Sequence, residues 1–328
     1  MRIISTLYPC GMGSTPSSTP PVFTSPLLAY TIYTIYNYFF MDQLSIMVAE
    51  PCEGFELLDS GDGEKLERYG DYVLRRPDPQ ALWQKNLPEK EWSKASASFR
   101  RDGAKGDWII KPELPERWAV KVAGLYFWIH PSTFKHTGLF PEQSPNWDWT
   151  RAIIKKAKKP VSVLNLFGYT GGASLAAAEA GAEVCHVDGS KVAIRWGREN
   201  AEKSGLADKP IRWILDDARK FIQREIKRGR KYDGIILDPP AFGHGPNKEL
   251  WKIEDDLLPL LKMCHEVMTP DPLFFLINGY ASGYSAIAYE NNLRALFKEG
   301  NFERGELTIR ESKSGRLLPC GIFARWSK

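Results

Sequence analysis

The 328-residue chain has little cysteine and no paired cysteine motif. Cys10, Cys52, Cys185, Cys264 and Cys320 form neither a C-x-x-C pair nor a cluster with histidine. A zinc site or any other metal site is therefore not expected, nor is a disulfide framework, and a reducing, cytoplasmic setting fits. Long apolar runs are missing too. The stretch from Pro26 to Met41 is apolar and tyrosine-rich, but it is shorter than a membrane span, contains Asn37, and follows no basic segment of a secretory signal. Neither sign of charge dominates: 44 Lys and Arg stand against 40 Asp and Glu, a formal +4 that permits a nucleic acid partner without requiring one. No internal repeat is visible. At 43% hydrophobic residues, the chain is long enough to bury a full core and to form two domains.

What is present is organised around Val163 to Asp188. The apolar run Val161 to Leu166 reads as a buried strand, and Gly168, Gly171 and Gly172 open a turn into a helix of small residues, Ala173 to Ala180. Gly181 stops that helix, and a second strand from Glu183 to Val187 delivers Asp188 about 20 residues after the glycines, where a carboxylate can accept from a ribose diol. The glycines do not follow the G-x-G-x-x-G spacing, so a dinucleotide pyrophosphate has no cradle and a dehydrogenase is disfavoured. A ligand without phosphate, S-adenosylmethionine, asks instead for donors to a carboxylate, acceptors for an ammonium and a ribose, and a flat slot for adenine.

Along the chain, residues 1–47 read as a poorly structured tail, with Met41 and Met47 as alternative starts. Residues 48–143 carry short alternating runs broken by Gly and Pro, the pattern of a small antiparallel β-rich domain with a role in substrate recognition. Trp83, Trp92, Trp108, Trp118 and Trp128 stand near Arg75, Arg76, Arg100, Arg101 and Lys105; they either stack on splayed RNA bases or form a sheet core with a charged rim. Residues 144–328 alternate strand and helix, starting from an N-cap at Ser144 with Pro145 in the first turn, and close on two strands joined by Ser312 to Arg316. A long helix is expected from Lys248 to Met268.

Ligands of such sheets bind at the carboxyl ends of the strands, so the last residue of each strand is informative. These are Asn165 to Gly172, then Asp188, then Asp216, Asp217 and Ala218, then Asp238, Pro239 and Pro240. Any one carboxylate, Asp216 for instance, can be a helix cap; four strands delivering polar groups to one edge is a different matter. Two prolines fix the backbone and turn carbonyl oxygens into the cleft beside Asp238, an acceptor-rich pocket for the amino or ring N–H edge of a planar base, with Phe242 near enough to stack on it. Asn278 offers a bond to a second edge, and His244 a proton acceptor or phosphate contact in a flexible loop, unless it is simply an exposed loop histidine.

The segments Val163 to Gly172, Val187 to Leu206, Asp216 to Ile222, Tyr232 to Phe242 and Lys135 to Gln143 resemble the class I S-adenosylmethionine-dependent methyltransferases related to the bacterial 23S ribosomal RNA large-subunit enzymes. The resemblance implies an α/β, Rossmann-like sheet of seven strands with the last one antiparallel. It implies cofactor contacts from Phe167, Gly168, Tyr169, Thr170, Asp188, Asp217, Ala218 and Asp238, with Phe140 and Gln143 reaching over. Asn165, Gly171, Gly172, Gly189, Ser190, Asn200 and Asp216, in the same segments, complete the set. It also implies ribosomal RNA as the partner. Two departures stand out. Ser144 replaces an arginine common in the family, and Asn278-Gly279-Tyr280 stands where cytosine-5 enzymes carry a cysteine. Methylation of a base nitrogen, ring or exocyclic, is then expected, with cytosine-5 chemistry through Cys264 or Cys320 as the alternative. A methyltransferase for small molecules or proteins, and a silent RNA-binding homologue, are the other readings. Oligomeric state is not legible.

Overall fold

A computed structural model describes residues 43–328 except 103–104, 133–134 and 281–282; the expected tail, up to residue 42, lies outside the described residues. Leu44–Lys328 forms one compact unit. Its centre is an eight-stranded sheet in the order β1-β16-β17-β15-β12-β9-β10-β11. The middle strands are β9 (Ser162–Leu166), β10 (Glu183–Asp188), β12 (Gly234–Leu237) and β15 (Phe274–Gly279), paired in parallel. β11 (Ile211–Leu215) closes one edge. β16 (Asn301–Arg310) and β17 (Leu317–Ser327) form the closing hairpin, with β17 antiparallel to both its neighbours. Near-continuous apolar strands suit a sheet covered on both faces. Leu164, Leu166, Ile235 and Leu237 point to a core with Phe221, Leu260 and Leu293, while Val163 and Ile236 point to one with Ile154 and Ala177.

The eighth strand corrects the expected count of seven and the expected end of the tail at residue 47. β1 (Ser45–Ala49) runs parallel to β16, with Ser45 opposite Gly305. The register needs glycine there, because a Cβ on Gly305 would overlap the Ser45 carbonyl. Among the described residues, no helix is long and apolar enough to cross a membrane.

The helices that bridge these strands are α2 (Ser144–Lys156), α3 (Gly172–Glu179), α4 (Lys191–Lys203), α5 (Ala218–Lys227), α6 (Ile253–Glu266) and α7 (Ala286–Leu296). Ser190 caps α4 by accepting from the Ala193 amide. Ser144 does not cap α2, because a 3-10 turn, Pro141–Gln143, leads straight into the helix. The expected helix from Lys248 starts later. Residues 242–252 instead make a hairpin of β13 (Phe242–His244) and β14 (Leu250–Lys252), pinned where the buried Trp251 indole donates to the Pro240 carbonyl at 2.6 Å.

Before residue 144 lies a five-stranded sheet of β2 (Phe55–Gly61), β3 (Glu64–Tyr69), β4 (Tyr72–Pro77), β5 (Ala97–Asp102) and β6 (Lys105–Ile110), with a short helical turn α1 (Glu89–Trp92). A separate hairpin follows, β7 (Trp118–Val122) and β8 (Leu125–Ile129). One core runs from these strands into the large sheet's helices: Phe127 stacks on Trp147 at 5.5 Å, and Val120, Leu125, Leu175 and Ala201 share the same cluster. Packing therefore crosses residue 143. Most of the tryptophans here serve that core or a nearby one, since Trp92 and Trp118 are buried and their indoles donate to Asp59 and to the Tyr69 carbonyl. Arg75 and Arg76 are spent on Glu64, Glu89 and Glu67. Trp128 differs: it is half-buried, with Arg117 over its ring at 4.4 Å. The side chains of Arg101 and Lys105 lie outside the described residues.

Candidate active site

Three cavities meet at the carboxyl ends of β9, β10 and β12. The first, about 290 Å³, is walled by Phe167, Asp188, Gly189, Ser190, Asp216, Asp217, Ala218 and the hairpin residues Gly243 to Gly245. A narrow one of about 70 Å³ continues past Phe140, Gln143, Asn165, Gly168, Tyr169, Thr170, Gly172 and Asn278. The third, about 430 Å³, lies between the small β region and the large sheet and is lined by Phe140, Glu142, Tyr169, Pro239, Pro240 and Tyr280 among others. Phe167 and Asp238 border all three.

The loop after β9 is built by backbone freedom and close approach. Phe167 and Tyr169 adopt φ of 58° and 49°, and Gly171 one of 92°. Gly168 rests on His186, whose ring a Cβ would overlap, and Gly172 rests in the same way on Trp147. Beneath the loop Asn165 donates to Ser174 at 2.9 Å, and Ser174 meets His186 Nδ1 at 2.9 Å. Burial pushes His186 down to about 3, so the imidazole is neutral.

Asp188 accepts from the Tyr169 amide with one oxygen and from the Ser190 amide with the other, both at 2.8 Å. Burial raises its pKa, and those two amides pull it back. Each oxygen keeps a further lone pair for a ligand in the cavity it borders. Asp217 caps α5 through the amides of Arg219 and Lys220 and pairs with the Arg219 guanidinium. Asp216 is paired with Arg224 and accepts from the Asp217 amide. The cap is thus Asp217 rather than Asp216, and both still border the first cavity.

Three expected site residues stand elsewhere. Asn200 is completely buried, and its amide is used by the Thr170 carbonyl at 3.0 Å and the Trp128 amide at 2.9 Å; it braces the loop from behind instead of facing a cavity. Phe242 is 59% exposed, edge-on to His244, because its place on β13 turns it outward; it borders none of the three cavities. Asn278 borders the narrow cavity and not the large one, with its oxygen accepting from Asn146 at 2.9 Å. The Pro240 carbonyl is likewise committed, to Trp251. Gly171 shapes the loop without bordering a cavity.

Several residues escaped the sequence. Trp251 closes over the first cavity, beside the expected His244, from the hairpin that had been read as loop and helix. Glu142 and Tyr280 enter the third, where Phe140 sits 5.2 Å from Tyr280 and 5.4 Å from Tyr169. The only signal for Glu142 was its place inside the Lys135 to Gln143 segment. Asp238 is pushed up to about 8 by burial and by the nearby Glu142, and its Oδ1 is buried without a partner. Gln143 Nε2 is also buried and unpartnered beside the narrow cavity. An orphaned amide donor, a carboxylate at the sugar position and a glycine cradle fit the donors and acceptors that S-adenosylmethionine carries. Among the described residues, no cluster of acidic, histidine or cysteine side chains could hold a metal.

A family model described as S-adenosylmethionine-dependent methyltransferase matches residues 94–296. The crystal structure of the SAM dependent methyltransferase from Agrobacterium tumefaciens is 42% identical, with a TM-score of 0.84, and covers 87% of this chain and 94% of that one. A putative SAM-dependent methyltransferase from Streptococcus mutans shares the fold at 17% identity, with a TM-score of 0.63 over 93% of this chain and 83% of its own. Among curated relatives, ribosomal RNA large subunit methyltransferase K of Neisseria meningitidis serogroup B is 24% identical over 68% of this chain. Ribosomal RNA large subunit methyltransferase I of Aeromonas salmonicida is 38% identical over 41% of it. The chain spans 64% and 33% of the lengths of those two relatives.

Proposed function

Because the chain belongs to the S-adenosylmethionine-dependent methyltransferase family, we propose that it methylates a nitrogen of a nucleobase in ribosomal RNA. The observation that carries this reading is the position of Asp238, which borders the two cofactor-side cavities and the large cavity between the β region and the sheet. A group transferred from one side to the other passes this carboxyl. The aromatic walls Phe140, Tyr169 and Tyr280 suit a flat ring, and the names of the curated relatives favour ribosomal RNA as the source of that ring.

Asp188, Gln143 and the loop from Phe167 to Thr170 would hold the cofactor, with Asp217 and Ala218 beside the adenine end. When bound, S-adenosylmethionine supplies a methyl group already activated by its sulfonium. The protein then has to align an acceptor nitrogen, exclude water and accept a hydrogen bond. Asp238 does the last of these, and Pro239, buried beside it, keeps the strand end rigid. A deletion strain supplies the test: its total RNA should take up labelled methyl from the cofactor when the purified protein is added, and RNA from the parent strain should not. Equal labelling of both RNAs, or of neither, would refute the ribosomal reading.

The cytosine-5 alternative loses one of its two thiols. Cys264 is completely buried in the hydrophobic core, and burial pushes its thiol far up. Cys320 borders the large cavity, but burial, foremost, and then Glu142 hold its thiol well above its ordinary value, away from the thiolate that addition to a ring carbon needs.

A further inference from the structure

The large cavity contains a second carboxyl group that the methyl-transfer reading above does not use. Glu142 lies in the 3-10 turn Pro141–Gln143, is 4% exposed, and borders the cavity together with Asp238. Among the described residues, its carboxyl is met by its own backbone amide and by no other residue's donor. Asp238 Oδ1 is buried and also without a partner. Two carboxyls that face one enclosed space and lack protein donors are sites waiting for donors from a ligand.

The remaining charged groups of that cavity do not satisfy them. Lys65, on β3, reaches Asp78 at 3.1 Å and Glu67 at 3.5 Å. Arg76, on β4, is held by Glu67 at 2.6 Å and by the Lys135 carbonyl at 2.9 Å. His136 is neutral, pushed down to about 4 by burial and then by Arg76, Lys135 and Lys65, and the Tyr280 and Cys320 side chains keep their protons. Lys135 lines the same wall. Both carboxyls border one enclosed cavity whose nearer cations are already paired, and Glu142 is the charged neighbour that, after burial, favours the protonated form of Asp238; such a pair gives up its two protons in separate steps and passes through a state with a single proton. In that state it presents one hydrogen-bond donor and one acceptor to the cavity.

We propose that Glu142 is a substrate-recognition residue which, with Asp238, selects a base that sets an amino group next to an unprotonated ring nitrogen on its Watson–Crick edge. Cytosine and adenine have that edge: the amino group donates to one carboxyl, and the ring nitrogen accepts from the other. On that edge guanine offers a ring N–H beside its amino group, and the shared proton opposes it. This inference rests on the base-methylation reading and narrows it to the exocyclic amino nitrogen of cytosine or adenine.

The test uses the full-length protein, with RNA from the deletion strain as substrate. The labelled RNA, digested to nucleosides and weighed, should contain an amino-methylated cytidine or adenosine; a methylated guanosine, or a methyl on carbon, overturns the proposal. Glu142→Ala should raise the KM for RNA about tenfold or more, as loss of a hydrogen bond to a charged group does, with cofactor affinity within about twofold. Glu142→Gln keeps a donor and an acceptor in place, so its KM should stay near the wild-type value. The wild type should lose kcat/KM at alkaline pH, where the shared proton leaves, and the fixed amide donor of Glu142→Gln should remove that fall. Wild-type KM and pH profile in both variants would overturn the assignment of Glu142 while leaving the methyltransferase reading intact. If the wild type labels no RNA, base methylation itself falls, and this inference falls with it.

Discussion

The first cavity and the large cavity, both bordered by Asp238, are built on opposite plans. Around the first cavity the carboxylates are already engaged: Asp188 by two backbone amides, Asp217 by two more and a guanidinium, Asp216 by Arg224. Across Asp238, the carboxyls of Glu142 and Asp238 face the large cavity without donors from neighbouring residues. Engaged groups hold a fixed shape that a constant ligand meets, whereas unengaged groups store a cost that only the right ligand relieves. On the function proposed above, the difference teaches that binding of the cofactor and choice of the substrate are separable, with Asp238 where they join.

The sharpest way to break that comparison is at the junction. Asp238→Ala should lower methyl transfer about a hundredfold or more while the affinity for S-adenosylhomocysteine, measured by calorimetry, changes by less than about threefold. A parallel loss of both would mean that Asp238 belongs to the cofactor side alone. Next in size is an attack on the engaged side. Gly168→Ala places a Cβ into the His186 ring, and overpacking of that kind should weaken cofactor binding about tenfold. Adding His186→Ala should restore part of the loss. If the double variant binds no better than the single one, the glycine is needed for backbone conformation and not for the close approach.

The same contrast decides how much was legible beforehand. The engaged side is made by residues that follow their strands directly in sequence, so reading strand ends reaches Asp188, Asp216, Asp217 and Asp238, which all border the first cavity. Even there, the geometry of one contact decides function: Asn200 lies in the right segment but points to Trp128 and Thr170. The substrate cavity joins β3, β4, the turn before α2, and the ends of β12 and β15. No local pattern announces such a meeting, which is why Glu142 and Tyr280 were missed and why Phe242, close in sequence to the two prolines, was expected beside a cavity that it does not border. The edge strand β1 escaped for a related reason, since its partner Gly305 lies some 260 residues away and pairing over such a distance leaves no periodicity to read.

A smaller effect sharpens the unengaged side through stability. Asp238 binds its proton up to about pH 8 in the folded protein, against about 3.9 for an ordinary aspartate, so the folded state holds the extra proton between those values. Stability from this group is complete below the unfolded pKa and is lost as pH rises through the folded one. Asp238→Asn cannot titrate. Its melting temperature relative to the wild type should therefore climb from pH 5 to pH 8, by the equivalent of about 1 kcal/mol or more. His136 and His186, both pushed down, give the opposite slope, but they are present in both proteins and cancel in the difference. A flat difference would show that Asp238 is ionised throughout.

The smallest expected effect concerns Cys320. It shares the large cavity with Asp238 and Glu142, so position alone would allow its sulfur to attack a ring carbon. Electrostatics oppose this, because burial and the nearby carboxyl of Glu142 both disfavour the thiolate. A nitrogen acceptor needs no covalent step, so Cys320→Ser should leave kcat for methyl transfer within about twofold. The companion measurement is denaturing electrophoresis after incubation with cofactor and RNA carrying 5-fluorocytosine, which traps enzymes that add a thiolate to the ring. The wild type should show no slow-migrating protein–RNA adduct. An adduct that disappears in Cys320→Ser would move the unengaged side of the molecule from hydrogen-bond recognition to covalent catalysis, and would make Glu142 the group that holds the thiol in reserve until the base arrives.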